Sequence, residues 1–123
     1  MDIKNIQKQL SDFADERDWD QFHNPKNLAM ALSVEASELV EIFQWLTPEQ
    51  AEAIMSSNEG EHVKEEMADI MIYLIRMADK LNVDLEKAVA DKIIKNNKPG
   101  RYPFIQYLLL KQVVNLLRKK SHY

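Results

Sequence analysis

The stretch "VEASELVEIFQW", Val34 to Trp45, reads as a helix with one residue out of place. Successive residues of an α-helix are turned by ~100°, so a buried stripe repeats every three or four positions. Extended from Leu28 to Leu46, the stripe is Leu28, Leu32, Leu39, Ile42, Phe43 and Leu46, and Glu35 falls near its middle. A lone carboxylate on such a stripe costs several kcal/mol or takes up a proton. The position therefore calls for a companion group.

A second helix carries the same device. "HVKEEMADIMIYL", His62 to Leu74, has an apolar stripe that continues through Val63, Met67, Ile70, Leu74, Met77 and Leu81. Glu66 and Tyr73 border it, Asp69 lies one step further round, and Glu65 points to solvent. Glu35 with Glu38, and Glu66 with Asp69, are both spaced i, i+3, which places each pair on one face of its helix. A single acidic pair of this kind is usually a solvated face. Two pairs on two apolar helices, one of them in mid-stripe, point instead to a shared site.

If the two helices pack antiparallel, Glu35, Glu38, Glu66 and Asp69 converge, and their mutual repulsion requires protons or a cation. Oxygen-only ligands favour a hard ion, Mg²⁺ or Mn²⁺, over zinc. A di-iron site on a helical bundle needs Glu-x-x-His on two helices. The histidines are His23, His62 and His122, and none stands three residues after Glu35 or Glu66, which disfavours that centre.

Around these two helices the pattern is helical throughout. A first helix spans about Ile3 to Asp15, and the loop "ERDWDQFHNPKN" carries Trp19, Phe22, His23 and Pro25. The second helix starts at Pro25 or Lys26 behind Asn24 as cap and runs to Trp45. In "TPEQAEAIMSS", Thr47, Pro48 and Gln50 form a capping box that opens a short helix. The fourth runs from Asn58 or Glu59 to Leu81; a fifth follows Asp84 and stops at Pro99 and Gly100. The expected fold is all-α and four-helix-bundle-like, with about five helices and a domain spanning residues 1–103. Residues 104–123, apolar then basic, form an extension readable as an amphipathic helix or as a strand followed by a helix. "MADIMIYLIRMA" is apolar nearly all round and needs more neighbours than one chain supplies, so a homo-oligomer is expected.

Composition narrows the function. A chain of 123 residues fits one domain, and its net charge of −4 argues against binding a nucleic-acid polymer. It has no cysteine, hence no disulfide, thiolate nucleophile or cysteine-bound zinc. Only Gly60 and Gly100 are glycines, so a P-loop and a dinucleotide fingerprint are both absent. The opening segment lacks the apolar core of a signal peptide, and no run reaches the ~18–20 apolar residues of a membrane span. A stable membrane association is not expected, and the expected location is cytoplasmic.

Taken together, Glu35-x-x-Glu38 and Glu66-x-x-Asp69 resemble the motif of the MazG-like all-α nucleoside triphosphate pyrophosphohydrolases. "FADERDWDQFHNPKNLAMALSVEASELVEIFQW", "EEMADIMIYL" and "VDLEKAVADKIIKNN…RYP" are similar to the dCTP pyrophosphatase branch of that family, over about Leu10 to Pro103. The resemblance implies Mg²⁺-dependent hydrolysis of a (deoxy)nucleoside triphosphate by water attack at the α-phosphorus, giving monophosphate and pyrophosphate. It implies a preference for dCTP-like or modified nucleotides, a house-cleaning role, and a dimer or tetramer. Carried over by position, Glu35, Glu38, Glu66 and Asp69 hold the metal, with Glu35 and Glu38 as the catalytic carboxylates. Glu35 is expected to take the water's proton, because mid-stripe it should be the most enclosed. Trp19 and Trp45 match pocket aromatics, Tyr73 is placed to meet the sugar, and Lys92 and Asn96 match a pair suited to phosphate and nucleotide. Leu10 stands where dCTP-directed relatives tend to have a histidine, which leaves the base preference open. A helical interaction module, or a metal-binding nucleotide sensor without turnover, is the alternative; the presence of all four acids speaks against lost chemistry.

Overall fold

Helix starts are set locally, by a side chain that closes back on a backbone N–H three residues on. Asp2, Asn24 and Asp84 accept from Asn5, Asn27 and Lys87 at 3.0, 2.9 and 3.0 Å. Thr47 and Gln50 bond each other's backbone at 3.2 and 3.0 Å, the expected capping box. The resulting elements are α1 (Ile3–Glu16), a 3₁₀ turn (Asp20–Phe22), α2 (Pro25–Phe43) and α3 (Pro48–Glu52). A second 3₁₀ turn (Ile54–Ser56), α4 (Gly60–Lys80), α5 (Leu85–Asn96) and α6 (Phe104–Lys120) follow. The computed structural model describes the backbone of residues 1–98 and 104–120, and the side chains of 1–98 and 109–119. The stop expected at Pro99 and Gly100 lies outside them. The chain forms two compact units, Met1–Val83 and Asp84–Tyr123.

With almost no glycine available, two helices end on other residues. Asp18 and Asn82 adopt φ of 55° and 54°, the left-handed conformation that Asp and Asn tolerate best among side-chain-bearing residues. In each case the next residue's N–H reaches back over the final turn: Trp19 to the Ala14 carbonyl and Val83 to that of Ala78, both at 2.8 Å. The glycine that packing does require is Gly60, at the start of α4. A Cβ there would stand 3.0 Å from the Met55 carbonyl oxygen and 3.2 Å from Met55 Cα. Because the obstacle is backbone, Gly60→Ala is expected to destabilise the fold by about 1–3 kcal/mol, read from a denaturant midpoint.

In the first unit, α2 and α4 are the principal packed pair, and α1 also packs on α4. Asp20 meets Lys80, His23 meets Arg76 and Glu35 meets Glu66, so α2 and α4 run antiparallel. The buried apolar residues are Ala14, Leu28, Ile54, Val63, Ile75 and Ala78. On α4 the inward face differs from the expected stripe. Glu66 is 6 % exposed, at the centre of the contact, whereas Met67 is 58 % exposed and Leu81 is also exposed. Val63, Ile70, Leu74 and Met77 do turn inward, and packing against α2 rotates the contact towards Glu66. Met30, Val34 and Val40 on α2, with Met71 and Ile72 on α4, are left exposed.

In the second unit, α5 follows its Asp84 cap as expected. Residues 104–120 form one helix, so the described part of the extension is helical and the described α-helices number six. Among the described residues no helix is long and apolar enough to cross a membrane.

Candidate active site

The antiparallel crossing of α2 and α4 brings carboxylates from both helices to one point. Glu35 and Glu38 come from adjacent turns of α2, Glu66 from α4, and one oxygen from each lies within 4.8 Å of the others. Glu35 and Glu38 are half-buried and Glu66 is buried. Asp69, one turn beyond Glu66 and half-buried, is near enough for its charge to act on Glu35. The misfit in the α2 stripe is thus answered by another acid.

The electrostatics follow from that crowding. Hydrogen bonding to Glu66, then burial, then the Glu38 and Asp69 charges push the Glu35 carboxyl up to about 7. Glu66 Oε2 is buried with no hydrogen-bond partner among the described residues. An orphaned buried oxygen is costly and uncommon. An oxygen-only cluster of crowded carboxylates with an orphaned buried acceptor suits one hard divalent cation, so these residues fit a metal. Tyr73 faces Glu35 and Asp69; burial, then those two charges, raise its phenol above the ordinary range and keep it a neutral donor.

Two features correct or extend the sequence reading. The most enclosed carboxylate is Glu66 and not Glu35, because the depth of a carboxylate is decided by the facing helix. His62, one turn before Glu66, places Nε2 3.2 Å from Glu66 Oε1 and Nδ1 3.1 Å from Glu59 Oε2. Its hydrogen bond to Glu59, opposed by burial, raises its pKa. The i, i+4 spacing to Glu66 was available as a signal; an exposed histidine among charges gave no reason to use it.

The aromatic candidates lie at opposite ends of α2, whose 19 residues span about 28 Å. Trp19 precedes α2, is 45 % exposed, and sits edge-on to Phe13 with centroids 5.5 Å apart. Trp45 follows α2 and is 63 % exposed. Lys92, exposed, and Asn96, half-buried, stand one turn apart on α5 in the second unit.

An all-α fold with carboxylates from Glu-x-x-Glu and Glu-x-x-Asp meeting between antiparallel helices defines a helical acidic-site protein. Comparison gives the particular kind: the chain belongs to the MazG-like family, which it matches over residues 30–104. It is 42 % identical to human dCTP pyrophosphatase 1 and 40 % identical to the mouse protein, each over 102 residues and 82 % of this chain. The chain spans 59 % of the length of these curated relatives. A solved pyrophosphatase from Archaeoglobus fulgidus superposes with a TM-score of 0.72 at 37 % identity, covering 78 % of this chain and 89 % of that one.

Proposed function

We propose that this protein is a nucleoside triphosphate pyrophosphohydrolase with a preference for dCTP-like or modified deoxynucleotides, acting in nucleotide-pool house-cleaning. The observation that carries the reading is the convergence of Glu35, Glu38 and Glu66 around an orphaned Glu66 oxygen. Relatives of both kinds, dCTP pyrophosphatase 1 and the archaeal pyrophosphatase, support it. Glu35, Glu38, Glu66 and Asp69 would hold Mg²⁺, with Mn²⁺ as a substitute, and a cation bound there would offset the triphosphate's charge. Glu35, the mid-stripe carboxylate that meets Glu66 across the crossing, takes the proton of the attacking water. The water oxygen bonds to the α-phosphorus as the α–β bridging bond breaks, leaving monophosphate and pyrophosphate. Tyr73 borders the acids where the sugar would lie, and Trp19 and Trp45 stack on the base.

Residues 1–103 form the working domain of this reading and residues 104–123 an extension. The exposed apolar faces of α2 and α4 are covered in a homodimer or homotetramer. With Trp19 and Trp45 at opposite ends of α2, a pocket that uses both draws one from a neighbouring copy. The site of action is cytoplasmic. The test is a product assay with Mg²⁺ and each common dNTP and NTP, separating mono-, di-, pyro- and orthophosphate. Monophosphate with pyrophosphate is expected, with dCTP among the fastest. Nucleotide binding without any product would move the reading to a sensing module.

A further inference from the structure

Arg76 lies in the apolar run "IMIYLIRMA" of α4 and is 4 % exposed, although nothing in the carboxylate site requires a cation there. Its guanidinium donates to Asp20 Oδ1 at 2.7 Å and to His23 Nδ1 at 3.4 Å, and stands 3.5 Å from Asp79 Oδ2. Lys80, one turn on, donates to the same Asp20 oxygen. Arginine has no acceptor, so His23 Nδ1 must be the unprotonated nitrogen; burial, then the Arg76 and Lys80 charges, lower the pKa of His23 accordingly.

Both partners belong to the turn between α1 and α2, and both flank Trp19. Asp20 is its neighbour in sequence, and the His23 ring lies 6.4 Å from the indole centroid. Behind the turn, Asp18 holds a left-handed conformation and the Trp19 N–H is bonded to Ala14. Arg76 is the buried half of a pair whose other half, Asp20, is exposed. Taking a charge out of water seldom adds stability beyond what an apolar side chain would provide, and its best-attested use is to fix a register. Here the fixed object is the tryptophan turn, and the element it is fixed to is the helix that carries Glu66 and Asp69. Arg76 lies seven residues beyond Asp69, about 10 Å along the helix axis.

We infer that Arg76, through Asp20 and His23, is a positioning residue that holds Trp19 at a set distance from the carboxylate cluster and so sets nucleoside affinity. This rests on the nucleotide reading above. The Arg76 guanidinium is taken up by Asp20, His23 and Asp79, about two turns along α4 from Asp69, so its loss should weaken substrate binding and spare the chemical step.

The test uses the full chain. Arg76→Met is expected to raise the KM for dCTP about tenfold with kcat within about twofold, the pattern of lost uniform binding. In a Trp19→Ala background the same substitution should add nothing to KM, because the residue it acts through is gone. Asp20→Asn changes an exposed partner without emptying a buried site; it should shift KM the same way and serves if Arg76→Met does not fold. A fall in kcat at constant KM, or a KM effect that persists without Trp19, would overturn the inference. An independent readout is acrylamide quenching of Trp19 in a Trp45→Phe chain. Stronger quenching with Arg76→Met supports the clamp, and unchanged quenching refutes it. If the unaltered protein cleaves no nucleotide, the functional reading fails alone, and quenching still decides whether Arg76 holds the turn.

Discussion

Replacing Glu38 by Gln is expected to lower dCTP turnover about 10³-fold while leaving the helical far-UV spectrum unchanged, the scale seen when one preorganised electrostatic group is removed. The substitution keeps the volume of a half-buried side chain and deletes one negative charge from a cluster whose oxygens lie within 4.8 Å. In the absence of metal that deletion relieves repulsion, so the chelated variant should melt at the same temperature as the parent or higher. Loss of turnover without loss of stability is the signature of a group kept for chemistry. Asp69→Asn should behave alike, since its charge also bears on Glu35. Glu65, exposed on α4, is the control, and Glu65→Gln should retain parental rates. Parental rates in Glu38→Gln and Asp69→Asn with Mg²⁺ present would remove these residues from the site.

Removing the divalent cation should abolish turnover and reverse how stability depends on pH. The Glu35 carboxyl sits at about 7 in the folded chain against an ordinary 4.5, so the folded state binds this proton more tightly than the unfolded one. For a raised pKa the contribution to stability is full below the unfolded value and is lost as pH rises through the folded value. In chelator, the melting temperature should therefore fall between about pH 5 and pH 8. His62, also raised, acts in the same direction, and His23, lowered, acts against it. Comparison with Glu35→Gln isolates the carboxyl, because its share of the slope disappears in that variant. A cation competes with the Glu35 proton, so Mg²⁺ should stabilise more at pH 8 than at pH 6 and release protons on binding at pH 6. Calorimetry in two buffers of different ionisation enthalpy measures that release. A melting temperature that rises with pH in chelator, with no difference in Glu35→Gln, would contradict a protonated Glu35.

The sequence by itself determined what depends on neighbours within a turn or two. Asn24, Thr47 with Gln50, and Asp84 mark helix starts through bonds to N–H groups three residues away, and these appear where they were read. Glu35 was legible for a related reason: helical periodicity is a local rule, and a charge in mid-stripe breaks it visibly. The pairing of two acidic i, i+3 motifs carried the family. Tertiary structure decided whatever requires knowing which surfaces meet. The stripe read on α4 turned inward at Val63, Ile70, Leu74 and Met77, but packing against α2 rotated the contact enough to make Glu66 the deepest acid and leave Met67 in solvent. The Arg76–Asp20 pair joins residues 56 apart, and no periodicity reaches across two helices to announce it. Charges separated along the chain are brought together by the path of the backbone, and that path is set by the summed burial of both helices.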